Sequence, residues 1–526
     1  MSGCQHGHRA HGEAALPDPF RIAIVGGGTA GWLSALIIQD AAGRAGLTVD
    51  VAVVESSKIP TIGVGEGTTA VFRGLLTHLG FDEFEFLRET EATIKYGIRH
   101  RDWRKLGHTY DGPIDDPMLL ARTPPNIDSS WLNQYCISTG RPVSEPHLFT
   151  RLMAKGRAPF VQTGRETPLP VSPFHHAYHF DQAKVGQFFR KKALGILQID
   201  ATVKGVEKED GNITKLLLDG AEDLDVNFVI DCTGFRRAII AEEMGAKWES
   251  YAENLPVNRA IPFWLDHKDG EEIAPYTLAW AQSAGWMWQI PTQSRMGCGY
   301  VYSDEFLTPD QAQAEIETAL GHKIEPRADI KINSGRLDQA WINNCLATGL
   351  AQSFFEPLEA TSIHGTIVQM LLFTNMHLEK IISGEPDGAE LYNSAIERQA
   401  DDFMTFINMH YVTERDDSPF WQHVRENCLS DITKGLIKAW SEKTPRRSDF
   451  RPFPGGLAHI EEQLYYPVLD GLGLLDRNVA KAELAGNTPL RAHARKTFEA
   501  MTKEFNRASG QAPSHRAFLE QLKDMS

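Results

Sequence analysis

The stretch RIAIVGGGTAGW, residues 21–32, constrains this chain more than any other. Its apolar start reads as a buried strand that must turn sharply at Gly26 and pass into a helix running through about Asp40. TVDVAVVE, ending at Glu55, reads as a second buried strand. The result is a β-α-β unit whose Gly26-x-Gly28-x-x-Gly31 spacing has a physical purpose. Gly26 permits the tight turn, Gly28 lets a pyrophosphate approach the backbone, and Gly31 lets the helix pack on the sheet. Thr29 and Ala30 open the helix, whose free N–H groups face the phosphates. Glu55, at the end of the next strand, is placed to accept hydrogen bonds from ribose hydroxyls. The blander reading is an ordinary glycine turn.

The glycine motif alone does not choose between FAD and NAD. Cys232-Thr233-Gly234 after a buried strand, and Ala347-Thr348-Gly349-Leu350 before a helix, resemble later signatures of FAD-dependent oxygenases. They favour FAD, with Gly349 and Leu350 near the flavin. The expected fold class is α/β: a Rossmann-like FAD-binding domain of the flavin monooxygenase type, an inserted antiparallel-sheet substrate region and a helical C-terminal part.

Further along, HFDQAKVGQFFRKKALG (179–195) reads as an amphipathic helix and NFVIDCTG (227–234) as a buried strand. Residues 257–303 alternate like antiparallel strands, and IHGTIVQMLLFTNMHLEKIIS (363–383) has helical apolar spacing. Residues 106–175, rich in Pro, His and Asn, read as irregular excursions, and much of 381–526 as helical. The expected division is a tail over 1–19, a discontinuous FAD-binding domain over 20–105, 176–240 and 335–380, and a substrate-binding and helical region over 106–175, 241–334 and 381–526.

At 526 residues a large core is within reach, and a balance of 53 Lys+Arg against 69 Asp+Glu, net −16, argues against phosphate-backbone binding, so no nucleic acid partner is expected. The six cysteines are scattered without a C-x-x-C pair, which fits a reducing cytoplasm and no metal site. No signal-peptide core or spanning run is visible, so no membrane partner is expected. Cys4, His6, His8 and His11 in the tail could bind metal, but a polar terminus is the simpler reading.

GWMWQIP (285–291) places Trp286 and Trp288 on one side of an extended strand, as one aromatic wall. Taken alone, two such rings more often fill a core. With VGGGTAGW (25–32), IPTIGVGEGT (59–68), HAYHFD (176–181), FFEPLEATS (354–362) and RDDSPFW (415–421), however, the chain resembles the flavin-dependent tryptophan halogenases from about residue 20 to 475.

The resemblance implies that reduced FAD, O2 and a halide ion, bromide or chloride, yield hypohalous acid, which travels through a tunnel to an aromatic substrate. Trp286 and Trp288 would wall the flavin from that substrate. Lys95, in EATIKYGIRHRDW, matches the lysine at the tunnel's far end. Alternation puts Lys95, Gly97 and Arg99 on one face of that strand, with Ile94, Tyr96 and Ile98 on the other. An ammonium there can hydrogen-bond hypohalous acid; a neutral amine could instead form a haloamine. Glu359 matches the family's glutamate, which would stabilise a cationic arenium and take its proton. Glu356 would only complement a helix N-terminus. Thr361 and Ser362, at the start of the apolar helix, would hold the halide on free N–H groups. The family usually has Ser-Thr-Gly where this chain has Ala360-Thr361-Ser362, which leaves the choice of halide open.

The match fails where the family cages free tryptophan. GHTYDGPIDDP (107–117) puts Asp111 and Pro113 near the clamp positions, and RPFPGGLAHIEEQLYYPVLDGLG (451–473) keeps Tyr465 and Tyr466 without the preceding Phe-Trp and the gripping acid. Indole or a substituted indole is the expected substrate, with a larger aromatic as an alternative. A single glycine fingerprint implies a separate NAD(P)H-dependent flavin reductase. The competing readings are a flavin-dependent aromatic hydroxylase and a non-catalytic flavin-binding module.

Overall fold

A computed structural model describes residues 19–59, 65–163, 168–385 and 388–524. The tail bearing Cys4, His6, His8 and His11, and residues 60–64 of the IPTIGVGEGT stretch, lie outside the described residues.

The β-α-β unit forms as its pattern requires. Phe20–Val25 pairs in parallel with Val49–Glu55, Ile24 opposite Val53. Thr29–Ala45 is the intervening helix, and it ends on Gly46 in the left-handed conformation (φ 68°) that glycine adopts without a Cβ penalty. Parallel strands Leu197–Asp200 and Phe228–Asp231 flank the pair, then Cys345–Ala347 and the antiparallel edge Trp341–Ile342, making a six-stranded sheet. Its strands are apolar on both faces because both are covered. The first helix and the helix Thr361–Met376 lie on one side. A small antiparallel sheet, Thr202–Glu209, Asn212–Asp219 and Leu224–Asp225, closes the other.

A second, seven-stranded sheet runs in the order Ile330–Lys331, Arg259–Asp266, Arg295–Tyr302, Gly285–Pro291, Thr277–Ala281, Gly97–Arg101, Thr109–Pro113. The alternating 257–303 region supplies its centre. The C-terminal part is helical, with long helices at Ala389–His410 and Thr488–Gln511. No helix of the described residues is long and apolar enough to cross a membrane.

Two local readings need correction. The segment 106–175 is not merely irregular: it holds the helices Trp131–Thr139 and Leu148–Lys155, each ending on a left-handed glycine. Trp131–Thr139 is short and buried nearly all round, so it lacks the amphipathic stripe that identifies a surface helix, while Leu148–Lys155 buries Leu148, Phe149, Leu152 and Met153 on one face but is only eight residues long. Nor is 93–101 one strand. It breaks at Tyr96, whose N–H donates to the Pro275 carbonyl and whose carbonyl accepts from Ile114. Thr93–Lys95 therefore pairs with Ala177–Phe180, in a three-stranded sheet with Glu66–Gly67, while Gly97–Arg101 joins the large sheet.

Candidate active site

The dinucleotide cradle is built by three separated segments. Gly26 has φ 115°, and a Cβ there would lie 2.3 Å from the Cys232 carbonyl oxygen. Gly31 sits against the Gly26 carbonyl, 1.8 Å from where its Cβ would be, so helix and turn touch backbone to backbone. Gly349 (φ 62°) packs its missing Cβ 2.7 Å from the Ala30 methyl. At Gly28, by contrast, a Cβ would meet no atom within 4 Å. That open position caps a helix start with no side-chain cap and no acid in its first turn. Backbone N–H groups without internal partners, facing open space, fit a pyrophosphate. Glu66 lies 3.4 Å from the Thr29 hydroxyl at the same helix start, and burial lifts its carboxyl to about 7. Glu55 is at the strand end expected of it, but one oxygen is ion-paired with Arg190 and the other crowds Gly27. These residues fit FAD.

The aromatic wall stands on the large sheet. Trp286 and Trp288 are both buried, with ring centroids 6.4 Å apart at 65°. Trp288 lies directly over Gly299, where a Cβ would come 2.1 Å from the ring. In register, His100, Ala279, Trp288 and Gly299 form a row across four adjacent strands, so they share a face. Trp103 bridges the row, 6.1 Å from the His100 ring and 6.0 Å from Trp286.

Lys95 is 2% exposed. Its Nζ donates to the Thr68 carbonyl at 2.9 Å, in space that exists because Gly67 has no side chain: a Cβ there would be 3.3 Å from Nζ. Burial lowers the ammonium to about 8, partly offset by the field of Glu359. His179, beside it, is pushed well below its ordinary value by burial and then by Lys95, so it is neutral. Its ring nitrogens meet Thr277 Oγ1 at 2.9 Å and Thr93 Oγ1 at 3.3 Å.

The two acids of Glu356-Pro357-Leu358-Glu359 lie in and beside a single 3-10 turn and meet one helix end. Tyr411 donates to Glu356 Oε2 at 2.5 Å, and Trp286 Nε1 donates to the same oxygen at 2.9 Å. Glu356 is thus fully buried rather than a surface charge on a helix N-terminus, and burial raises its carboxyl to about 7 despite both donors. One residue earlier on the helix end, His410 Nε2 lies 2.9 Å from Glu359 Oε1, and His100 Nε2 lies 3.4 Å from the same oxygen. Burial pushes Glu359 up, but the two imidazoles outweigh it and bring the carboxyl down to about 2.

Thr361 and Ser362 begin the next helix as expected, without a side-chain cap or an acid in the first turn. Ala360 before them is left-handed (φ 53°), an uncommon conformation for a residue with a Cβ. Asp111 is no clamp, because both its oxygens bind Arg99, at 2.7 and 2.9 Å. Tyr465 packs among Phe406, Trp440 and Phe450, and the Tyr466 hydroxyl donates to the Pro445 carbonyl. His100, Trp103, His179, His410 and Tyr411 were not legible as site residues. The one local signal was the polar–aromatic pair His410-Tyr411 at the end of a largely apolar, buried helix turn.

The parallel sheet, the cradle and its inserted antiparallel sheet define an FAD-dependent oxidoreductase. Residues 21–483 match the family model described as tryptophan halogenase. The chain is 30% identical over 492 residues to tryptophan 6-halogenase SttH of Streptomyces toxytricini, covering 87% of this chain and 90% of that protein. Among solved structures it is similar to Tar14, a tryptophan C-6 flavin-dependent chlorinase from taromycin biosynthesis (TM-score 0.83, 28% identity, 96% of this chain and 100% of that one). It is also similar to BrvH, a flavin-dependent halogenase from Brevundimonas sp. BAL3 (TM-score 0.80, 28% identity, 96% and 100%). The chain belongs to the tryptophan halogenase family and is a flavin-dependent halogenase, consuming reduced FAD, dioxygen and halide. Enzymes of this family take their flavin from a separate reductase and act on an aromatic substrate.

Proposed function

We propose that this enzyme halogenates an indole-type aromatic, with bromide or chloride, at Lys95 and Glu359. The observation that carries this reading is the seat of Lys95: a buried ammonium that donates to one backbone carbonyl and feels the charge of Glu359. An ammonium has three donors, so Lys95 keeps two beyond the Thr68 bond. When bound, reduced FAD with dioxygen supplies the oxidising equivalents that convert halide to hypohalous acid. Lys95 then donates to the oxygen of HOX, which makes the halogen more electrophilic and eases departure of that oxygen as water. The aromatic carbon bonds to halogen, and the ring hydrogen leaves as a proton to Glu359. The departing oxygen takes a proton from Lys95, the proton on Glu359 passes back to Lys95, and overall ArH and HOX give ArX and H2O. An arenium ion is a strong acid, so a carboxylate of low basicity suffices to take its proton. Gly28, Thr29, Ala30, Gly31, Gly349 and Leu350 would hold the cofactor, Gly26 its turn and Glu55 the ribose end. Thr361 and Ser362 would hold the halide, and Trp286 and Trp288 would keep the aromatic substrate away from the flavin.

SttH and Tar14 are named for tryptophan. This chain spends Asp111 on Arg99 and the Tyr466 hydroxyl on Pro445, which leaves neither to grip an amino acid and favours indole. The test supplies the protein with FAD, an NAD(P)H-dependent flavin reductase, oxygen and bromide or chloride, with indole or free tryptophan as substrate, and reads product mass. Indole carrying one halogen, formed faster than halotryptophan, is expected. Oxygen added in place of halogen would make the protein an aromatic hydroxylase, and no turnover a flavin-binding module.

A further inference from the structure

His100, Glu359 and His410 form the only group of three potential metal ligands whose ligand atoms converge among the described residues, all lying within 4.8 Å of one another. Three features go beyond a cluster of polar groups. First, His410 Nδ1 lies 2.9 Å from the Phe406 carbonyl oxygen. A carbonyl only accepts, so Nδ1 carries a proton and Nε2 is the ring nitrogen left to face Glu359. At 2.9 Å from a carboxylate oxygen, that nitrogen shares a cation with Glu359, either its own proton or a metal ion that takes the proton's place. Backbone fixing of the far ring nitrogen is also the usual support of a metal-binding histidine.

Second, His100 is fully buried and neither ring nitrogen has a hydrogen-bond partner. Its ring is set by Tyr110, stacked at 4.6 Å and 9°, so Nε2 is held toward Glu359 by packing alone. Third, the spacing suits a small ion. Ligand bonds of about 2.0–2.2 Å in a tetrahedron put donor atoms about 3.3 Å apart. The observed edges from Glu359 Oε1 are 2.9 Å to His410 and 3.4 Å to His100. Two imidazoles and one carboxylate suit a borderline cation such as Zn2+ and leave a fourth position open.

We propose that His100 Nε2, Glu359 Oε1 and His410 Nε2 bind a zinc-class divalent cation, and that occupancy switches halogenation off. Binding itself is independent of the catalytic reading. Inhibition rests on it, since the ion would occupy the proton acceptor and repel the Lys95 ammonium. No further metal chemistry is required.

The test uses the full-length flavoprotein with Cys4, His6, His8 and His11 replaced by Ser and Asn, which removes the competing ligands of the tail. After stripping with a chelator, Co2+ is titrated and its visible absorption followed, then displaced with Zn2+. One saturable equivalent is expected, weakened at least tenfold by His410→Gln and by His100→Gln, with FAD binding kept as the check on folding. Absence of a saturable equivalent, or binding unchanged in both variants, overturns the site and shows that a proton alone bridges His410 and Glu359. In the same protein, stoichiometric Zn2+ should abolish halogenation and a chelator restore it. Zinc that binds through these residues without inhibiting upholds the site and removes Glu359 from catalysis.

Discussion

Trp286 and Glu356 are joined inside the protein by a 2.9 Å hydrogen bond, and Tyr411 donates to the same carboxyl oxygen. The aromatic wall is therefore tied to the acid-bearing turn and to the end of the helix Ala389–His410. Burial raises Glu356 from 4.5 to about 7. Between those values the folded protein keeps a proton that the unfolded chain has lost, so wild-type stability falls as pH rises through that window, by up to about 3 kcal/mol. Glutamine has no proton to lose. Glu356→Gln should therefore gain stability relative to wild type between pH 5 and pH 8, read as the difference in apparent Tm at the two values. A difference that does not change with pH would mean the carboxyl ionises normally.

Lys95 sits among an ionised Glu359, a neutral His179 and the Thr68 carbonyl. If the ammonium is the working form, kcat/KM for indole should fall as pH rises through about 8, where burial places its titration. A rate that instead climbs through the same pH would favour the free amine and a haloamine. Lys95→Met should leave FAD binding intact and reduce halogenation by about 10²–10³-fold, the scale of losing one donor aimed at developing charge.

Two glycines of the cradle should separate folding from cofactor binding. A Cβ at Gly26 meets the Cys232 carbonyl at 2.3 Å on a backbone with φ 115°. Gly26→Ala should therefore misfold or melt well below wild type even without flavin. A Cβ at Gly28 meets nothing in the protein. Gly28→Ala should melt like the wild-type apoprotein yet lose FAD affinity at least about tenfold, because the methyl takes space the pyrophosphate needs. Flavin fluorescence quenching and apo melting curves read the two effects separately.

How far the sequence discloses the molecule depends on how local each device is. The β-α-β unit was legible because a phosphate cradle needs glycines at fixed spacing, and the strands of 257–303 were legible although the central ones, Gly285–Pro291 and Arg295–Tyr302, bury side chains on both faces. The break at Tyr96 was not legible, since it is made by Pro275 and Ile114, which no pattern near residue 96 announces. Likewise, Glu359 meets His100 and His410 only because a sheet strand and a helix end converge on one short turn. Glu356 read as a helix-end charge because its donors, Trp286 and Tyr411, lie 70 and 55 residues away.

The seat of Trp288 offers a test of the wall itself. Its ring lies on the bare backbone of Gly299, so Gly299→Ala puts a methyl 2.1 Å from ring carbons. Strand backbone cannot yield easily, so the ring must rotate away or the strands part, at a cost of about 1–3 kcal/mol for an overpacked core site. The three atoms nearest to this Cβ all belong to the Trp288 ring. If the wall separates oxidant formation from halogen transfer, Gly299→Ala should still bind FAD and consume oxygen. It should also form less halogenated product per reduced flavin than wild type. Oxygen uptake measured beside product mass gives that ratio. An unchanged ratio in a variant whose tryptophan fluorescence shows the ring has moved would deny Trp288 any part in the separation.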